Sequence, residues 1–365
     1  MNDKTIALGN KHIHLAAHLF QPERLTLARE LRGLTKAELA ERIGRTSSSI
    51  SQFESLDVPL KPDVGTLGEL AVALSVPVQF FARKMAASLI HIDRCHFRSL
   101  RSASQKARRK LLAMGTLLYD VLQYLERDIE FPSDQISLIK SPRIISENEE
   151  IEAFATDVRR KLGLGLGPIH DLVKLLELNG VLVTMMPEQC RHVDAFSTWL
   201  GGRPFIFLAD KGSTTQLRFD AAHELMHLLT HADVLPGDKE LERQANRFAG
   251  AFLLPRDTFF HECPRRLNWD LFNELKERWG VSLAALVVRA FQLGCISEAS
   301  YRRAFVQLNQ MGERFDKIDE HRIERPSLLK ESLELVSDET YLTGMATDLG
   351  LSTPIIRSLI ESNAI

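Results

Sequence analysis

The sequence lacks the features of a membrane protein or of a disulfide-stabilised secreted protein. No apolar run approaches the roughly 20 residues that a membrane-spanning helix needs. The first 20 residues also lack the uninterrupted apolar segment of a signal peptide. Four cysteines, at positions 95, 190, 263 and 295, form no Cys-x-x-Cys pair, so neither a thiolate zinc site nor a disulfide framework is indicated. We therefore expect a cytoplasmic protein with reduced thiols and no membrane partner.

An excess of charge of one sign is also missing from the chain as a whole. The 365 residues carry a net charge of −2 and are 44% hydrophobic, which is typical of a soluble protein of two or three domains. Residues 83–112 nevertheless hold nine Lys or Arg and a single acid, Asp93. This segment is therefore a candidate anion-binding surface, with a solvated helix face as the alternative.

The apolar periodicity predicts a mainly α protein with a small β-sheet, which is an α+β fold. We expect a five-helix domain at residues 20–82 and a basic helical connector with a linker at residues 83–150. Residues 151–262 contain two apolar runs, GVLVTMM and RPFIFLA, that predict strands between helices. Residues 263–365 are expected to form a helical extension, whose tail is interpreted as a packing or dimer element.

The segment FDAAHELMHLLTH carries three histidines at intervals of four residues. On a helix, His223 and His227 lie about 6 Å apart along the axis and on one face, so both imidazoles can bind one ion. Glu224 completes an HExxH motif, in which the histidines hold zinc and the glutamate takes a proton from a water that the ion activates. His231 lies roughly 12 Å along the axis from His223, so we interpret it as a helix-end residue favoured by the dipole.

The remaining ligand is expected from the following helix, KELERQANRFAGAFLLP. Glu242, Ala245, Asn246 and Ala249 recur at spacings of three and four, so they share one helix face, and its alanines allow close packing. A buried carboxylate on this face needs a partner, and a metal ion is one. We predict Glu242 as the third ligand, with Glu240 as the second choice, and Asn246 as a hydrogen-bond partner of a ligand histidine.

Residues 168–256 resemble the ImmA/IrrE family of metallopeptidases. The matching stretches, in the order in which the family has them, are PIHDLVKLLELNGVLV, DAFSTWLGGRPFIFL, LRFDAAHELMHLLTH and LERQANRFAGAFLLP. The resemblance implies a zincin-like metallopeptidase domain. In that domain His223, His227 and a glutamate of the second helix hold zinc, with manganese as the alternative metal, and Glu224 is the general base.

Two positions depart from this resemblance. The frequent Thr-Leu before the motif is replaced by Asp220-Ala221, and the frequent glycine before the second histidine is replaced by Met226. Neither departure removes a catalytic atom. The alternative to a metal site is a surface helix with two histidines and a glutamate, but neighbours such as Leu225 and Leu228 are apolar and predict a buried helix.

The N-terminal part of the chain has the punctuation of several short helices. Thr35 followed by Glu38 predicts a capping box, and Thr66 followed by Glu69 predicts a second one. Gly44 suits the left-handed position after a helix. We therefore expect tight turns between these helices.

Residues 24–82 resemble the XRE-type helix-turn-helix family, in the text RLTLARELRGLTKAELAERIGRTSSSISQFES. The resemblance implies that residues 36–43 and 47–53 form the two helices of the motif, and that the second enters the major groove of a double-stranded DNA operator. A homodimer on a palindromic operator is then expected. A helical bundle that docks a partner protein is the alternative. The candidate DNA contacts are Lys36, Ser47, Ser48, Ser49 and Gln52.

The order of these parts resembles XRE-family regulators that carry an ImmA/IrrE domain. It implies a transcription regulator whose zinc peptidase cleaves a repressor, or itself, in a stress response to DNA damage or phage, with single-stranded DNA as a candidate trigger. Residues 203–209 are predicted as the strand edge that aligns the substrate. The alternative is a non-catalytic regulator whose metal-bound domain senses a ligand or docks a partner. Three protein ligands favour catalysis, because structural zinc sites are closed by four.

Overall fold

The structure is a computed structural model. It describes residues 12–57, 60–85, 96–97, 104–141, 143, 145–190, 193–231, 238–312, 324–336 and 339–361. It is mainly helical with one small sheet, which confirms the predicted α+β class. None of the helices in these ranges is long and apolar enough to cross a membrane.

The N-terminal part is a bundle of short helices. Residues 12–18 form α1, and they are followed by α2 (Pro22–Leu31), α3 (Lys36–Arg42), α4 (Ser47–Phe53), α5 (Val64–Leu74) and a 3-10 turn at Val78–Ala82. The inward-facing side chains of α3 and α4, among them Leu39, Ile50 and Phe53, are buried. Residues 47–53 of the predicted second helix thus coincide with α4.

The turn chemistry agrees with the prediction at one helix and differs at another. Thr35 and Glu38 form the predicted capping box at α3, and Gly44 has the predicted positive φ of 61°. The predicted box of Thr66 and Glu69 is wrong. Asp63 is the cap of α5, and its carboxylate accepts a hydrogen bond from the Thr66 backbone at 2.9 Å. An acid is favoured at this position because it also interacts favourably with the helix dipole.

The connector joins the N-terminal bundle to the rest of the chain through a long helix, α6 (Gln105–Leu125). Arg24 of α2 forms a buried ion pair with Asp120 of α6, with 2.9 Å between Nη1 and Oδ2. Three of the arginines that make the connector basic, at positions 94, 98 and 101, lie outside the described residues. The predicted linker contains α7 (Ile136–Ile139), both ends of which are buried.

A four-stranded sheet lies at the centre of the molecule. Its strands are β1 (His96–Phe97), β2 (Leu182–Met185), β3 (Ala195–Leu200) and β4 (Arg203–Leu208), in the order β1-β3-β4-β2. Strand β4 is antiparallel to β3 and parallel to β2. The prediction that residues 203–209 form the open edge is therefore wrong, because β4 has a neighbouring strand on each side.

The sheet separates two hydrophobic cores. One face packs against α6 and the N-terminal bundle through Phe196, Phe205 and Phe207, and the rings of Phe196 and Phe207 stack at 4.3 Å. The other face packs against the remaining helices through Ala195, Ile206 and Leu208. Burial on both faces explains why these strands are apolar at nearly every position.

The second core is formed by the other helices. They are α8 (Asn148–Lys161), α9 (Leu172–Leu178), α10 (Thr214–Met226), a π-helical turn (His227–His231), α11 (Lys239–Leu253), α12 (Arg256–Glu262), α13 (Trp269–Trp279), α14 (Leu283–Gln292) and α15 (Glu298–Met311). A 3-10 turn at Glu188–Cys190 contributes Cys190 to the first core. The tail forms α16 (Leu328–Val336), α17 (Glu339–Leu349) and α18 (Thr353–Ile360), which return to α6 and complete the first core.

Candidate metal centre and DNA-binding helix

Helix α10 and the π-helical turn that follows it carry the HExxH motif through the interior of the second core. Ser213 caps the first turn of α10 by accepting a hydrogen bond from the Gln216 backbone. The side chains of His223, Glu224 and His227 are buried, with relative exposures of 0, 0 and 1%. Such polar groups are costly in an apolar core unless they share a partner.

Among the described residues, His223, His227 and Glu242 form a group that could hold a metal ion. The Nε2 atoms of His223 and His227 lie 3.1 Å apart. The two carboxylate oxygens of Glu242 lie 3.3 Å from His223 Nε2 and 3.6 Å from His227 Nε2. A tetrahedral ion with bonds of about 2.0–2.1 Å separates neighbouring ligand atoms by about 3.3–3.4 Å. The three side chains therefore fit a zinc ion. Glu240, the second choice, is exposed and pairs with Arg243.

Each candidate ligand histidine has a partner for its other ring nitrogen. Nδ1 of His223 lies 3.1 Å from Asn246 Oδ1, the contact expected for Asn246. Nδ1 of His227 lies 2.9 Å from His231 Nδ1, and His231 Nε2 lies 3.1 Å from Gln244 Oε1. His231 is thus a buried neighbour of a ligand, and the interpretation as a residue placed by the helix dipole misses this contact.

Glu224 is held by a residue that sequence reasoning missed. Ser197 on β3 donates a hydrogen bond from Oγ to Glu224 Oε2 at 2.7 Å, and both residues are buried. Strand β3 itself was not predicted. The signal was present in the two glycines that follow AFSTWL, since a two-residue Gly-Gly turn between apolar runs indicates a hairpin. Gly201 and Gly202 have φ values of 54° and 84°.

The candidate DNA contacts lie on or near α4. Ser47, Ser48 and Gln52 are exposed, whereas Ser49 is half-buried, with its Oγ 2.9 Å from Thr46 Oγ1. Lys36 is partly exposed at the start of α3, 3.6 Å from Glu54 Oε2. The geometry therefore presents a polar helix to solvent, with three of its predicted contacts fully accessible.

One further basic residue lies beside α4 and was missed. Arg45 is exposed in the turn directly before the α4 cap, and its Nη2 donates to Thr66 Oγ1 at 2.9 Å. The signal in the sequence is an arginine directly before Thr46, the cap of α4. Basic residues that flank a helix in the DNA groove commonly contact phosphates.

Two parts of the chain match known families. Residues 25–81 match a helix-turn-helix family, and residues 177–291 match the IrrE N-terminal-like domain. The chain joins a helix-turn-helix domain to an IrrE-like peptidase domain. This confirms the resemblance to a helix-turn-helix regulator joined to an IrrE-like domain, and it supports a DNA-binding regulator that carries a metallopeptidase-type domain. No curated protein matches the chain.

The IrrE-like match extends over α13 and most of α14, beyond the helices that carry the candidate metal ligands. A cavity of about 440 Å³ lies between helices α10, α11 and α14, against the face of α11 that carries Asn246. It is lined by polar and apolar groups, including Asp220, Asn246, Arg289 and Gln292. Asn246 therefore connects this cavity with a ligand histidine of the IrrE-like domain.

Proposed function

We propose that the chain is a transcription regulator whose IrrE-like domain is a zinc peptidase that cuts a repressor, or the chain itself, in response to stress. The observation that carries this proposal is the convergence of His223, His227 and Glu242 on a spacing that fits one ion, beside the buried Glu224. Three protein ligands leave a position open for reaction, as in other catalytic zinc sites.

The chain's own residues divide the work of hydrolysis. His223, His227 and Glu242 would hold the ion, which when bound supplies Lewis-acid activation of water and of the scissile carbonyl. Glu224 accepts the proton of the attacking water and returns it to the leaving amine. Ser197 fixes the orientation of Glu224 through its hydrogen bond to Oε2. Burial of the site strengthens these interactions because it excludes competing water.

The helix-turn-helix domain supplies the target of regulation. The exposed start of α4 offers hydroxyl and amide groups to the major groove, where Gln52 can pair with adenine. The buried Arg24–Asp120 pair ties this domain to α6, so the DNA-binding and peptidase parts share one packed structure. Cleavage would then change the state of a protein that is already positioned at its operator.

The test of the peptidase proposal is Glu224→Gln in the full chain. Wild-type and variant protein are loaded with zinc and incubated with β-casein, with and without duplex or single-stranded DNA, and fragments of casein and of the chain are identified by mass spectrometry. We expect both proteins to bind one zinc and only the wild type to cut. Glu298→Gln, which changes an exposed carboxylate on α15 away from the site, is the control and should cut like the wild type. Absence of cutting by the wild type in every condition rejects the proposal.

The cavity beside Asn246 supports a second candidate function. In this alternative the IrrE-like domain senses a small molecule without cutting a peptide, and the ligand acts on the metal site through Asn246. Gene regulation that is unchanged by Glu224→Gln, but lost in Asn246→Ala, favours this alternative. Regulation lost in both variants favours the peptidase.

A further inference from the structure

The outer edge of strand β3 lies next to the candidate general base. Ser197 of this strand contacts Glu224, and β3 also contacts the π-helical turn that carries His227 and His231. The inner edge of β3 is fully paired, from Ala195 opposite Leu208 to Leu200 opposite Arg203. Any peptide that added to β3 would therefore have to use the outer edge.

Two residues of the chain's own connector pair with this outer edge. His96 lies opposite Ser197 and Phe97 lies opposite Phe196, in antiparallel register. Within the part of the connector that the structure describes, the pairing covers Phe196 and Ser197 of β3, and Ser197 is the residue that holds Glu224. The connector strand β1 thus occupies the part of the edge that lies nearest to the proposed chemistry.

Extended peptides bind sheet edges by adding a strand, because an unpaired edge offers backbone N–H and C=O groups. We propose, on the basis of the proposed peptidase function, that the outer edge of β3 is the docking edge for extended peptide substrates, and that β1 is its resident occupant. The chain's own residues 96–97 compete with substrate for this edge.

Strand β1 belongs to the same chain as β3, so its competition with substrate is intramolecular. It lies between two anchored elements, the 3-10 turn that ends at Ala82 and helix α6, which begins at Gln105. Helix α6 is held to the N-terminal bundle by the Lys106–Glu38 and Arg24–Asp120 ion pairs.

The test removes the backbone donors of β1 by the double substitution His96→Pro and Phe97→Pro, since proline cannot donate to a strand ladder. The matched control is His96→Ala and Phe97→Ala, which keeps both donors. Hydrogen–deuterium exchange is measured over residues 195–200 in zinc-loaded full chain that also carries Glu224→Gln, so that no chain is cut. Cleavage of β-casein is then measured in the same variants with Glu224 restored.

We expect the proline variant to raise exchange in β3 by about tenfold, the effect of losing one backbone hydrogen bond, and to cut β-casein several times faster than the alanine control. Unchanged exchange in β3 overturns the proposal. If exchange rises but the proline variant cuts β-casein at the same rate as the alanine control, the proposal is also overturned, because β1 then does not compete with substrate. If exchange rises and neither the proline variant nor the alanine control cuts β-casein with Glu224 restored, the result supports the pairing of β1 with β3 and rejects the peptidase function.

Discussion

The Nδ1 atoms of His231 and His227 lie 2.9 Å apart, and this contact makes His231 a support for His227, a candidate metal ligand. If Nε2 of His227 binds the ion, its Nδ1 carries a proton and donates a hydrogen bond to Nδ1 of His231. The proton of His231 is then on Nε2, from which it donates to Gln244 Oε1 at 3.1 Å. Gln244 in turn donates to Glu240 Oε1 at 3.2 Å. The chain of contacts therefore selects one tautomer for each ring.

The first prediction is that His231→Ala weakens zinc binding without removing the site. Partners of ligand histidines are typically worth about 10–100-fold in metal affinity, so we expect a loss in that range, measured by zinc titration against a chelating dye. His261→Ala removes an exposed histidine of α12 and should leave the affinity unchanged. Equal affinities for wild type and His231→Ala would mean that the contact does not support His227.

The sequence predicts those parts of the site that depend on local helix geometry. Spacings of three and four residues place His223 beside His227, and Glu242 on the face of Asn246, because 3.6 residues complete a turn. The structure brings all of these side chains together. The capping box at Thr35 is likewise a pattern within one turn.

The parts that the sequence could not predict depend on pairing between distant segments. Whether β4 lies at an edge is decided by the arrival of β2 and β3 on its two sides, and no local pattern carries that information. The cap of α5 is a local exception, because Asp63 and Thr66 are both residue types that cap helices and the structure uses Asp63. His231 follows His227 by four residues, so the rule that places His223 beside His227 also predicts this contact, which the structure forms within a π-helical turn at residues 227–231.

A second prediction concerns the buried ion pair that joins α8 to α14. Glu152 accepts two hydrogen bonds from Arg289, at 2.5 and 2.7 Å, and the Arg289 side chain is fully buried. Burial raises the pKa of the Glu152 carboxyl, but Arg289 and Arg247 outweigh it and the net pKa is lowered. Glu152→Ala leaves the buried guanidinium of Arg289 without its carboxylate partner, so we expect a loss of about 3–5 kcal/mol in the free energy of unfolding.

Urea denaturation of the full chain checks this value. The control is Glu298→Ala, which breaks an exposed pair with Arg302 and should cost no more than about 1 kcal/mol. Similar losses for the two variants would refute the assigned importance of the buried pair.

A third prediction tests the DNA-binding face. Gln52→Ala removes an exposed amide from α4, and loss of a base contact costs about 1–3 kcal/mol of discrimination. We expect weaker binding to a duplex selected from a random library by the wild type, with little change on unselected DNA, in fluorescence anisotropy titrations. Gln123→Ala removes an exposed glutamine from α6 and should bind both DNAs as the wild type does. A uniform loss on both DNAs for Gln52→Ala would indicate a backbone contact instead.

The last prediction follows from Glu177, which joins α9 to the start of α16. Its carboxylate accepts hydrogen bonds from the backbones of Ser327 and Leu328 at 3.0 Å each. Burial nonetheless raises the pKa of Glu177 to about 7 from an ordinary value of 4.5. Between these two values the unfolded chain loses this proton while the folded chain keeps it, so stability falls as the pH rises from 4.5 to 7.

Glu177→Gln keeps an oxygen acceptor for the two backbone groups and cannot ionise. We therefore expect the melting temperature of the wild type, minus that of the variant, to decrease from pH 5 to pH 7 and to become constant above about pH 8. Glu298→Gln, which removes an exposed carboxylate, tests whether any loss of an acid has this effect. A difference between wild type and Glu177→Gln that is independent of pH would show that Glu177 is ionised throughout, and that its hydrogen bonds to α16 outweigh its burial.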